Sequence, residues 1–100
     1  MVNGRFNSLI NSQKPVLVDF YTDWCSPCKQ LTPILKEIKD KLKDSIRIIK
    51  VNVDKNPMIA TQYKIQSIPT IMVFKNGNLV WTGLGVKSKG ELIGVLQQHI

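Results

Sequence analysis

The sequence predicts a three-layer α/β/α sandwich built on a mixed four-stranded sheet. Three observations predict it. Hydrophobic periodicity switches along the chain in the order helix, strand, helix, strand, helix, strand, strand, helix. The first two strand patterns are joined by a long amphipathic helix, which is the βαβ crossover that parallel strands require. The last two are joined by Asn76-Gly77, the strongest short hairpin signal, which makes that pair antiparallel.

The chain has 100 residues, 43% of them hydrophobic, enough for one domain spanning 1–100 with one core and no need of metal or disulfide staples. A first helix is expected from Asn3 or Gly4 to about Ser12, with Phe6, Leu9 and Ile10 on one face, broken by Lys14-Pro15. Val16–Tyr21 is a near-continuous apolar run, the mark of a strand covered on both faces. Asp19 alone interrupts it. Leu31, Ile34, Leu35, Ile38 and Leu42 then repeat at helical spacing, with Pro33 inside the helix and expected to kink it near Lys29. Ile46–Val53 is β-branched and reads as the second strand.

Asn56-Pro57 supplies a helix cap and a proline suited to a first helical position, opening a short helix with Ile59, Ala60 and Tyr63 inward and an end near Lys64. Thr70–Phe74 is the third strand and Asn78–Thr82 the fourth, with Gly83 and Gly85 marking a bulge or a close backbone approach. Ser88 and Glu91 form a capping box ahead of a last helix that would bury Leu92, Ile93, Val95, Leu96 and Ile100.

The formal charge is +7, from 14 Lys and Arg against 7 Asp and Glu. Much of it lies in Lys36–Asp44, where lysines alternate with Glu37, Asp40 and Asp44 as on a solvated helix face. No aromatic residues interleave with these lysines, so a nucleic-acid partner is not expected. No stretch is long and apolar enough to cross a membrane. The first twenty residues hold no continuous apolar region of the kind an export signal needs, which makes a reducing cytoplasm the expected compartment.

The chemistry concentrates in Trp24-Cys25-Ser26-Pro27-Cys28-Lys29, which contains both cysteines. Cys25 stands just ahead of the helix that Pro27 can open, where unpaired backbone N–H groups and the helix dipole favour a thiolate. Cys28 follows one turn later. Such a pair suits thiol–disulfide exchange, in which the first sulfur attacks a target disulfide and the second resolves the mixed disulfide. A zinc half-site would need ligands that His99 alone cannot complete, and a purely structural bridge over so short a loop would stabilise little.

With Val16–Phe20, the Trp24–Lys29 motif, Pro33, Asp54–Pro57, Ile68-Pro69-Thr70, Phe74–Gly77 and Gly85, the chain resembles the thioredoxin family from about Lys14 onward. The resemblance implies the thioredoxin fold and a protein-disulfide reductase that passes electrons to target enzymes. It implies no cofactor beyond the redox-active Cys25–Cys28 pair, protein disulfides as substrates and a thioredoxin reductase as electron donor. It makes Cys25 the attacking thiolate, Cys28 the resolving thiol, Asp19 a buried proton acceptor and Lys50 the lysine beside it. It further makes Ile68-Pro69 a cis bond on a substrate loop, and Trp24, Ser26, Pro27, Ile68, Pro69, Leu84 and Gly85 the docking surface.

The chain departs from the family pattern twice. Ser26 stands where Gly is usual, which adds a hydroxyl near the sulfurs and unsettles the redox potential. Too few residues precede the Asp19 strand for the usual first strand and helix, so the first edge strand is expected to be missing or vestigial. The chain would be a monomer whose Ile46–Val53 edge could self-associate. Two other readings remain at this point: an oxidant or isomerase of an oxidising compartment, and a redox-independent binding subunit on the same scaffold.

Overall fold

The computed structural model describes residues 4–100, so the expected Asn3 start of the first helix lies outside the described residues. The elements are α1 (Gly4–Ile10), β1 (Val16–Tyr21), α2 (Ser26–Leu42), a 3₁₀ turn (Lys43–Ser45), β2 (Arg47–Asn52), α3 (Pro57–Gln62), β3 (Thr70–Lys75), β4 (Asn78–Leu84) and α4 (Lys89–Gln97). They form one mixed sheet in the order β2-β1-β3-β4. β1 and β2 are parallel, and the other two pairings are antiparallel. The described residues contain no strand beyond β2, which is therefore an edge, as the short N-terminal stretch predicted.

Side chains alternate across β1, and each face receives its own helical layer. Val16, Val18 and Phe20 join Phe6, Ile10 and Ile59 on the α1/α3 side, where Tyr63 packs edge-on to Phe6 and Phe74. Leu17, Ile71 and Val73 join Leu31, Leu35, Ile38, Leu92 and Leu96 on the α2/α4 side. Asp19 lies on that second face because it is two residues from Leu17. The charged residues of Lys36–Asp44 are all exposed, as a solvated helix face requires.

Asn76 and Gly77 have φ of 53° and 81°, the two left-handed residues of a tight hairpin turn. Their amides bond the carbonyls of Ser12 and Ile10, and this docking accounts for α1 stopping at Ile10 instead of running to Ser12. The bulge of β4 lies opposite Val73/Phe74, where the register passes from Trp81 to Leu79 and leaves Val80 extra, and not at Gly83. Gly83 supplies the close approach: a Cβ there would fall on the Trp81 ring, with Cζ3 at 2.9 Å.

Three local expectations are corrected. Asn56 precedes α3 without capping it, because its side-chain amide donates to the Asn52 carbonyl (2.9 Å). Ile100 lies beyond α4 and is 58% exposed, leaving Leu92 and Leu96 as the helix's buried residues. The first residue of α2 is Ser26, with Pro27 second.

Candidate active site

Four chain segments leave the sheet at one end. The C-termini of parallel β1 and β2, the N-terminus of β3 and the C-terminus of β4 meet there, since Phe20 pairs with Thr70, Tyr21 with Asn52 and Thr70 with Leu84. The loop after β1 carries Cys25 and leads into the first turn of α2, which carries Cys28; the loop after β2 carries Asp54, the loop before β3 carries Ile68-Pro69, and Gly85 follows β4. Ligand sites of open α/β sheets favour this end.

Cys25 is the N-cap of α2, and its Sγ accepts the backbone N–H of Cys28 at 3.2 Å. The two are joined as a disulfide with Cα atoms 5.3 Å apart. Once that bond opens, the same N–H and the helix dipole remain to stabilise a thiolate at Cys25. Each cysteine is only 4% exposed in this oxidised state, so exposure does not distinguish attacker from resolver. Only Cys25 holds the cap position.

Trp24 is 72% exposed, with its indole N–H donating to Asp54 Oδ2 at 3.0 Å. Asn52 sets this up, because its Oδ1 accepts the amides of Asp54 (3.0 Å) and Lys55 (3.3 Å) and folds the turn after β2. On the other flank of β1, the Ile68–Pro69 bond is cis and the Pro69 carbonyl accepts the amide of Gly85 (2.9 Å). Gly85 has φ of 81° and Leu84 beside it is 63% exposed. The structure thus brings Pro69, Leu84 and Gly85 together, and holds Trp24 on the opposite flank. Ser26 and Pro27 are exposed on the first turn of α2.

Asp19 is fully buried, and neither carboxylate oxygen has a hydrogen-bond partner. Burial pushes its pKa from the ordinary 3.8 to about 6, with the charge of Lys50 opposing the rise. The parallel register sets Lys50 directly beside Asp19, and Ile71 on its other side. The Lys50 ammonium lies 4.8 Å from the centre of the Tyr21 ring and 3.4 Å from Thr32 Oγ1. A cleft of about 120 Å³ connects Thr32 and Lys50 to Cys28 and Tyr21. No group of three His, Cys, Asp or Glu among the described residues could hold a metal.

Sequence reasoning missed Asp54, Asn52 and Thr32 as parts of the site. The Asn-x-Asp pair at the end of β2 was the available signal for the first two, since such residues fold turns through their side chains. Nothing local marked Thr32.

A family model described as Thioredoxin matches residues 1–98. The chain belongs to the thioredoxin family. It is 47% identical to the thioredoxin of Rickettsia felis over 92% of this chain and 88% of that protein. It is 48% identical to the thioredoxin of Griffithsia pacifica, covering 92% and 84% respectively. Among solved structures it is similar to oxidised mitochondrial thioredoxin 3 of Saccharomyces cerevisiae, with a TM-score of 0.84 and 30% identity over 94% of this chain and 87% of that one. The chain is accordingly a thiol–disulfide oxidoreductase with the thioredoxin fold, working through its own cysteine pair as thioredoxins do.

Proposed function

We propose that the chain acts as a general protein-disulfide reductase of the cytoplasm, working as a monomer and recharged by a thioredoxin reductase. The observation that carries the reading is Cys25 at the N-cap of α2 with buried, partnerless Asp19 on the sheet face that α2 covers. The family generally reduces protein disulfides with electrons from such a reductase.

In this reading the Cys25 thiolate attacks one sulfur of the target disulfide, and the other target sulfur departs as thiolate and takes up a proton. The Cys28 thiol gives its proton to the Asp19 carboxylate, and its sulfur attacks Cys25 Sγ. The Cys25–Cys28 disulfide forms as the mixed disulfide breaks, and the second target sulfur leaves as a thiolate that takes a proton from solvent, while Asp19 returns its proton to solvent. Two electrons and two protons pass to the target. A carboxylate titrating near 6 is largely ionised at neutral pH yet basic enough to accept the proton. Lys50 serves by holding Asp19 near that range. Trp24, Ser26, Pro27, Ile68, Pro69, Leu84 and Gly85 form the surface on which the substrate lies.

Trapping tests the roles directly. Cys28→Ser should accumulate a mixed disulfide between Cys25 and a reduced-and-reoxidised protein target such as insulin, seen as an adduct mass that a thiol releases. Cys25→Ser should form none, and an adduct on Cys28 in that variant would reverse the assignment. Equilibration of the pair against a glutathione buffer then separates reductase from oxidant, because a strongly oxidising potential would rule out the reductase reading despite Pro27.

A further inference from the structure

The bare edge strand β2 is turned outward at two residues. Arg47 and Val53 direct their amides inward to the carbonyls of Pro15 and Tyr21. In a parallel ladder alternate residues bond to the same neighbour, so Arg47, Ile49 and Val51 face β1, while the N–H and C=O groups of Ile48 and Lys50 face away from the sheet. No described residue pairs with them.

Beside this edge runs a groove of about 380 Å³ between β2 and α2. Leu35 and Ile48 line it with apolar surface, and Lys36, Lys39, Arg47 and Lys50 surround them against one carboxylate, Asp40. Lys39 donates to the carbonyls of Lys43 and Ile46, Arg47 to that of Leu9 and Lys50 to Thr32, but among the described residues no carboxylate neutralises any of the four cations. Through Thr32 and Lys50 the groove joins the cleft that reaches Cys28.

We propose that this edge is a docking site for an extended acidic segment of a partner protein, which adds to the sheet as a fifth strand beside β2. The strand edge supplies main-chain hydrogen bonds at alternate residues, the Leu35/Ile48 floor takes an apolar side chain, and the cations take flanking carboxylates. Charge decides among occupants. A second copy paired through β2 would set Arg47, Lys50 and Lys36 against the same residues of its neighbour, and like charges facing across strands destabilise the pairing. A nucleic acid would find cations but no aromatic side chain among the groove's lining residues on which to stack a base.

The test uses the oxidised chain, so it does not depend on the redox reading. A ten-residue peptide of alternating Glu and Val should bind at low salt and slow hydrogen exchange at the Ile48 and Lys50 amides. The matching Lys/Val peptide should not bind. A Glu/Val peptide N-methylated at alternate amides keeps its charge but loses its strand hydrogen bonds, and should lose binding. Lys36→Glu, an exposed substitution outside the catalytic residues, should weaken binding by about tenfold and steepen no salt dependence. The proposal is overturned if the two amides exchange at unchanged rates, or if the methylated peptide binds as well as the parent. It is equally overturned if a single-stranded oligonucleotide protects the same amides, or if a concentration-dependent dimer does so without peptide.

Discussion

Replacing Asp19 with Asn isolates the energetic cost of the buried carboxylate. In the unfolded chain the group titrates at its ordinary 3.8, and in the folded one at about 6. Moving between these values, at about 1.4 kcal/mol per pH unit, amounts to about 3 kcal/mol. Below pH 3.8 both states are protonated and the cost is absent. Between about pH 4 and 6 the native state holds the proton more tightly than the unfolded state, so stability falls as pH rises through the folded value, and above it the full cost is present. Asp19→Asn lacks this dependence. Its stability relative to the parent should be constant below about pH 4, rise by about 3 kcal/mol by pH 7, and stay constant above. Whatever the amide itself costs is the same at every pH and drops out of the comparison. Urea unfolding of both oxidised proteins at pH 3.5, 5 and 7 measures it, the gap between midpoints widening by about 1–3 M for a domain of this size. A gap that stays flat across that range would refute the assignment of a raised pKa to Asp19. In the proposed mechanism the substitution also removes the proton acceptor, so insulin reduction at pH 7 should fall even as stability rises, and a stabilised variant with parental activity would separate Asp19 from the mechanism.

Lys50→Met removes the charge that opposes the rise at Asp19, so the upper end of the window in which stability falls should extend to higher pH while its lower end stays put, as a repeat of the same unfolding series would show; an unchanged upper end means the two groups do not interact. Gly83→Ala places a methyl on the Trp81 ring and should cost about 1–3 kcal/mol of stability with altered Trp fluorescence, and an unchanged unfolding midpoint would contradict the packing described. Asp54→Ala frees the Trp24 indole, so KM for a protein disulfide should rise by several-fold, about the loss of one hydrogen bond, while the rate with a small-molecule disulfide stays near parental; equal effects on both would place Asp54 in the chemical step.

How far the sequence could be read depends on the distance over which each feature is encoded. The sandwich, the parallel pair, the Asn76-Gly77 hairpin and the Ser88 cap were all legible, because each is specified by periodicity or by residues within a turn of one another. The cysteine pair was legible for the same reason, and its N-cap geometry follows from three adjacent residues. The misreadings arise where a distant group competes for a local one. Asn56 had a cap's identity, yet the Asn52 carbonyl claims its amide, and α1 ends at Ile10 where a turn some 65 residues on binds the carbonyls of Ile10 and Ser12. The tether from Trp24 to Asp54 crosses 30 residues and exists only because β1 and β2 run in parallel and end together. Asp19 shows the limit most clearly. Its position in an apolar run announced burial, but only the packed sheet reveals that both oxygens lack partners and that Lys50 lies next to it in register. A carboxylate so placed is costly to the fold, and the proposed mechanism gives that cost a use, since the same burial that destabilises the charged form makes it basic enough to accept a proton.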